Sequence, residues 1–475
     1  MGAALRESNH GTSRIRRLIV LAALSLSVGL TMYKAAVAPI TYDEAYTYLR
    51  FARRHTGEIL SDYEYPNNHI LHTLAVRAST RVFGDDAWAI RLPGALGGVA
   101  LLAGVVALAR RFREPIRTAW PVGVAMTPVV MEYNGLARGY SLGAAACVWA
   151  AWLIIVALED AAAERPRSRA HGARLIAAGL LLGAALGCVP TFGLFVAGLL
   201  AATATIRFLA VRPVRFPAAL ADGALIVAGL APVVFVVYSR VRLKPREWPW
   251  GLSDWPSCNH AFWEHTLAWP SLGATAALAL SAIVVLATLT SLITARRAGM
   301  AERLLPLTLT FGVVTLGLAV SGLKTVWPLP RTIHWLAPLS LLVTLIFIRV
   351  VLRRQRLCDV VVFVLVSALA IRSVARWDSR RYAGWEDNAA IPTLVDAIEQ
   401  DATTAGRRNI TIRIPWTFDV LVDYALRRDA RRDWRITTAD DADADYAIVA
   451  ANAGAPTGQT LVVDPSSGAK ALRLK

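Results

Sequence analysis

Apolar runs of about 15 to 22 residues recur along most of the chain, and that is the length needed to cross ~30 Å of hydrocarbon. They fall at 18–37, 89–109, 118–131, 140–158, 175–189, 191–208, 218–238, 272–294, 304–323, 335–348 and 357–372, eleven expected spans that would put the two termini on opposite sides. Composition agrees: the 475 residues are 55% hydrophobic, with a mean hydropathy of +0.45 and 18% charged residues, against roughly 25% in soluble domains. An ordinary soluble enzyme is excluded. The first run follows Arg14, Arg16 and Arg17 and ends near Ala36-Val37-Ala38, which imitates a signal-peptide cleavage site. Its full span length favours a retained helix.

The net charge of +17 lies wholly upstream of Arg376, where 37 Lys and Arg face 19 Asp and Glu; the remaining 100 residues hold 14 against 15. A basic excess confined to the greasy part points to membrane flanks and not to a nucleic-acid surface. Arginine clusters occupy alternate connectors: 14–17, 110–117, 165–174, 207–215, 296–303 and 353–356. Those connectors should face the cytoplasm. The opposite, external face then receives the loops 38–88, 132–139, 239–270 and 324–334, together with the tail. Irregular polar sequence is concentrated there, so the function is sought there. The four cysteines (147, 188, 258 and 358) form no paired or metal-type spacing.

The tail, 376–475, differs in kind. Helices are expected at 391–403 and 418–428, and strands at 409–414, 446–450 and 460–463, separated by Gly, Pro, Asp and Ser. This describes a small external α/β domain. It shows no Gly-rich nucleotide loop and no nucleophile elbow, and its acidic run at 440–445 lacks the Gly and terminal Glu of an EF-hand.

Candidate chemistry begins just past the first span, at Thr41-Tyr42-Asp43-Glu44-Ala45-Tyr46-Thr47-Tyr48. Carboxylates beside a bilayer are costly unless paired, solvated or used. Next comes Tyr65-Pro66-Asn67-Asn68-His69-Ile70-Leu71-His72, in which His69 and His72 would share one face of a helix starting after Pro66. That pair could ligate a divalent metal with Glu44 or Glu64, hydrogen-bond a polar ligand, or simply be two satisfied interfacial histidines. Arg91-Leu92-Pro93 enters the second span, and Ala137-Arg138-Gly139-Tyr140 precedes the fourth. The loop 324–334 adds Lys324, Arg331 and His334. The loop 239–270 brings five tryptophans, interfacial anchors or sugar-stacking surfaces, behind a basic group that points to an anionic ligand.

In their order and spacing, the Asp-Glu pair, the Pro-Asn-Asn-His helix start, Arg-Leu-Pro and Ala-Arg-Gly-Tyr resemble the family 39 membrane glycosyltransferases. That group has the GT-C fold and includes protein O-mannosyltransferases and the bacterial aminoarabinose transferases of lipid A. By motif the resemblance covers residues 15 to 150, and by layout the whole membrane part. It implies a mainly α, polytopic GT-C fold of about 11 spans: a transferase domain at 1–375 and a soluble α/β domain at 376–475. The activity implied is inverting transfer of a sugar from a polyprenyl-phosphate donor to a lipid, glycan or protein acceptor, at the external face of a bacterial inner membrane. Asp43 resembles the family's general base, with Glu44 beside it, and Arg138 the arginine that holds the donor phosphate. Lys324 and Arg331, on the same membrane face, would share that phosphate or else contact phospholipid headgroups, while Asn67, His69, His72, Tyr140 and His334 would line the substrate. Members commonly carry an acid two places before that arginine. Leu136 stands there in this chain, and Glu132, one turn earlier, is the available replacement. The resemblance fixes no cofactor, and a divalent metal stays open.

The rival of another class is a transporter or lipid flippase. Transporters bury ionisable residues at the midplane of broken, often repeated helices; here the spans hold almost no charge and the carboxylates gather at one rim. A scaffold acting through its tail is a second rival.

Overall fold

The computed structural model describes residues 2–62, 68–165, 168–209, 216–239, 251–294, 299–323, 326–428, 434–438, 443–451 and 457–475, with 2–13 and 323 described by backbone only. Nine of the described helices are long and apolar enough to cross a membrane, from Arg14–Val37 to Gln355–Arg376, and the shorter apolar helix Leu336–Val351 joins them. The protein is mainly helical and multi-pass, with a small sheet near its C-terminal end. Where one run is expected at 118–131, the chain forms two short helices, Ile116–Ala125 and Pro128–Asn134. Pro128 explains the break: it drives the preceding residue out of the helical region, and Thr127 is extended at φ −76°, ψ 126°.

The chain gathers into two compact units, one of residues 1–32, 60–72 and 93–377, the other of residues 33–59, 73–92 and 378–475. In the first unit helices approach closely through small residues, as packing in lipid favours. Arg169–Cys188 and Phe216–Tyr238 pack reciprocally: a Cβ on Gly179 would collide with the Ile226 carbonyl, and one on Gly229 with that of Ile176. Polar side chains in this unit bond to backbone, as Ser27 does to the Ala125 carbonyl (2.7 Å) and Ser141 to that of Gly94 (2.6 Å).

The second unit is built on five strands: β1 (Thr411–Arg413), β2 (Arg435–Thr437), β3 (Tyr446–Val449), β4 (Gln459–Val463) and β5 (Lys470–Arg473). Their order is β2-β1-β3-β5-β4, with β1 parallel to both neighbours and the last two strands antiparallel. Helices Ile391–Thr404 and Asp419–Arg428 bury Leu394, Val395 and Ile398, and Val420, Leu421 and Tyr424. Asp440 and Asp441 of the acidic run lie outside the described residues. The segment after the first long helix belongs to this unit. Tyr42 donates its backbone N–H to Asn388 Oδ1 (2.7 Å), Tyr424 donates its hydroxyl to the Asp85 carbonyl (2.8 Å), and Tyr48 meets Tyr424 edge-on.

Candidate active site

The first helix ends at Val37, two residues before Pro39, and Thr41 restarts the chain as the N-cap of helix Tyr42–Tyr46. The capping box is complete: Thr41 Oγ1 accepts the Glu44 N–H (3.4 Å), and Glu44 Oε2 accepts the Thr41 N–H (2.9 Å). Such a box satisfies two of the otherwise orphaned N–H groups. Asp43 stands in the same first turn, where the helix dipole favours a carboxylate, and only 7% of it is exposed. A π-helical stretch follows at Thr47–Ala52, a geometry found disproportionately at functional sites.

Glu44 is committed elsewhere. Its two oxygens accept from Arg91 Nε (2.9 Å) and Nη2 (2.7 Å), and neither side chain is exposed at all. Arg91 also donates to three carbonyls around the end of the first helix, Ala35 (3.1 Å), Ala38 (2.7 Å) and Pro39 (2.7 Å). It lies 5.1 Å from the centre of the Tyr382 ring, over which Lys34 also sits at 4.4 Å. Every guanidinium nitrogen of Arg91 is thus bonded, which is the condition for burying such a pair without heavy penalty. The arginine of Arg-Leu-Pro, noted in the sequence only as a motif, fixes the segment that carries Asp43.

The first unit holds a separate cluster. Gly139, at φ +73°, caps helix Tyr140–Ala162. A side chain there would be strained by that backbone and would crowd the Cys188 carbonyl (2.9 Å) and His72 Cβ (3.0 Å). This turn holds Arg138, 3% exposed, 6.0 Å from the Tyr140 ring centre. Tyr140 in turn packs against His69 (5.8 Å), Tyr133 (4.9 Å) and His334 (5.3 Å). Tyr133 hydroxyl and His265 Nε2 are 2.7 Å apart, and His334 Nδ1–H donates to the Arg331 carbonyl (3.0 Å).

The cluster therefore brings together Arg138, Tyr140, His69, His72, Arg331 and His334 of the expected residues. His69 directly precedes helix Ile70–Phe83, and His72 lies in its first turn. Asn67 and Lys324 lie outside the described residues, as do Glu64 and the basic group of the Trp-rich loop. Tyr133 and His265 are additions. His265 comes from the helix Trp255–Leu267, which Asp254 caps by accepting the Ser257 N–H (2.8 Å). Nothing in the local sequence ties His265 to Tyr133, 132 positions away. Glu132 is half-buried beside Tyr133, whose hydroxyl is pushed up by burial and by Tyr140.

Burial holds His265 and His334 down to about 4, helped for His265 by the charge of Arg331. His69 is held well below its ordinary value by burial and then by Arg138. At neutral pH these three imidazoles are uncharged, so the positive charge of the cluster comes from its arginines. That combination suits an anion. No group of three or more His, Cys, Asp or Glu able to hold a metal occurs among the described residues.

A pH effect follows. Between about 4 and 6.5 the unfolded chain protonates these histidines and the folded chain does not, so folding stability falls as pH drops through that window. Thermal melts of the detergent-solubilised protein should fall from pH 6.5 to 4, and His334→Gln should flatten part of that slope. A slope unchanged by His334→Gln would contradict the assignment.

No family model matches this sequence, and neither does any curated protein. Among solved structures the chain is similar to an oligosaccharyltransferase of Archaeoglobus fulgidus in complex with Zn and sulfate, at 14% identity and a TM-score of 0.49, covering 89% of this chain. It spans 63% of that protein's length. It is also similar to ArnT from Cupriavidus metallidurans bound to undecaprenyl phosphate (13% identity, TM-score 0.46, 87% of this chain and 75% of that one). A third likeness is to the arabinosyltransferase EmbB from Mycobacterium smegmatis (15% identity, TM-score 0.42, 74% of this chain and 37% of that one).

Proposed function

We propose that this protein is a GT-C glycosyltransferase of the bacterial inner membrane. It moves a sugar, with inversion, from a polyprenyl-phosphate donor to a lipid, glycan or protein acceptor at the external face. The observation that carries this reading is the Arg138 cluster: a buried arginine held by a turn that favours glycine, among neutral imidazoles and phenols. Cationic guanidinium groups surrounded by uncharged hydrogen-bonding side chains suit a phosphate. The residue motifs that resemble family 39 give this arginine and Asp43 complementary roles.

In the proposed reaction Asp43 removes the proton of the acceptor hydroxyl. The acceptor oxygen then bonds to the anomeric carbon from the face opposite the phosphate. The bond from that carbon to the phosphate oxygen breaks, and its electron pair leaves with the phosphate, whose charge Arg138 and Arg331 meet. Glu44, through Arg91, is a positioning residue for Asp43. Residues 376–475, with the segments that pack into the same unit, form the external domain, and the arginine clusters of alternate connectors support that side.

Binding tests the donor half of the proposal. Arg138→Ala removes a charge-assisted hydrogen bond worth about 1.5 to 3 kcal/mol, so the affinity of purified protein for a polyprenyl phosphate should fall roughly ten- to a hundredfold. Unchanged affinity in a folded variant would remove Arg138 from the site.

A further inference from the structure

Within the second unit, strand β1 is followed at once by Ile414, Pro415 and Trp416. The chain leaves β1 for β2 on one side and then returns to β3 on the other, with all three strands parallel. The carboxyl end of β1 is therefore a switch point, the position where open α/β sheets receive ligands. Trp416 stands there 60% exposed, while Ile414 and Phe418 on either side are buried. One exposed aromatic is ordinary on a protein surface, so the weight of the observation rests on what surrounds Trp416.

Its surroundings are not those of a simple apolar patch. The half-buried Tyr42 meets Trp416 edge-on, with ring centres 6.4 Å apart, and Tyr46 stands 6.0 Å beyond Tyr42. Asp419, the first residue of the helix Asp419–Arg428, lies within electrostatic reach of the Tyr42 hydroxyl. The charge of Arg50 is felt by both Tyr42 and Asp419. Burial pushes the Asp419 carboxyl up, so part of its hydration is already lost. An aromatic face beside a carboxylate, a phenol and a guanidinium offers stacking to the C–H face of a pyranose and directional partners to its hydroxyls.

We propose that Trp416, Tyr42, Tyr46, Asp419 and Arg50 form a carbohydrate-binding subsite that receives a glycan acceptor. Its meaning as an acceptor site rests on the transferase reading, whereas its binding of sugar does not. Asp43 directly follows Tyr42 in the chain, so a sugar stacked here lies beside the segment that carries the proposed base. The competing occupant of an exposed tryptophan in a membrane protein is the bilayer interface. Asp419 and Arg50 place opposite charges near the rings and give sugar hydroxyls directional partners that acyl chains cannot use, which makes the sugar the better partner.

The test uses the full chain in nanodiscs, without donor, and a panel of neutral gluco-, galacto-, manno- and arabino-configured oligosaccharides observed by saturation-transfer NMR. At least one should bind saturably, with affinity falling about tenfold in Trp416→Ala and largely kept in Trp416→Phe. Trp416 is exposed, so its removal should leave the fold intact. Binding by none of the panel, or equal binding by Trp416→Ala, overturns the subsite. So does quenching by brominated lipids that disappears in Trp416→Phe, which would mark Trp416 as a bilayer anchor. A chain that binds these sugars yet transfers none keeps the subsite and loses the transferase reading.

Discussion

Asp43→Asn should lower turnover by about 10²-fold or more, the scale of a lost general base, while donor binding and expression stay near those of the parent. The substitution keeps the shape of the side chain and its hydrogen-bonding capacity but cannot accept a proton. Asp43 is buried in the first turn of a capped helix, so a neutral amide of the same size should be tolerated there. Glu44→Gln separates the two neighbouring acids. Successive residues on a helix point about 100° apart, and the Glu44 carboxylate faces Arg91. Its loss should appear as weakened folding with a secondary fall in turnover. The comparison is made at matched amounts of folded protein, by initial rates of sugar transfer; near-parental rates for Asp43→Asn would remove it from the chemistry.

Arg91→Met should be the most destabilising single change in the second unit, at about 3 to 5 kcal/mol, the usual penalty for leaving one partner of a buried ion pair unpaired. It strands the Glu44 carboxylate and releases the carbonyls of Ala35, Ala38 and Pro39 at once. Converting the pair together, as Arg91→Met with Glu44→Gln, should recover part of the loss because no buried charge is left. Thermal unfolding of the three variants reads this directly. A double variant no more stable than Arg91→Met would show that the three carbonyl bonds, and not the ion pair, account for the cost.

The long helices are legible in the sequence because an apolar run of span length needs no distant partner to declare itself. Helices Ile391–Thr404 and Asp419–Arg428 are legible from their amphipathic period. Strands β2 and β5 are not: Arg435–Thr437 holds one apolar residue and Lys470–Arg473 two between charged ends, whereas β1 lies in the alternating run 409–414 and β3 in an apolar one. Their pairing with β1 and with β3 and β4 defines them. The same holds in the site. Asp43, Arg138 and the histidines carry local motifs, but the role of Arg91 is set by Glu44, 47 positions earlier, and that of His265 by Tyr133. The grouping of 33–59 and 73–92 with the tail depends on contacts such as Tyr42 to Asn388, 346 positions apart.

Sugar transfer from a lipid-linked donor is tested most directly with radiolabelled polyprenyl-phosphate sugars in membranes carrying the parent, Asp43→Asn or Arg138→Ala. The parent should transfer label to an acceptor. Asp43→Asn should lose transfer while still binding donor, and Arg138→Ala should lose transfer together with donor affinity. Movement of labelled lipid across the bilayer, with no transfer from any such donor by the parent, would contradict the transferase assignment and put a transporter or flippase in its place.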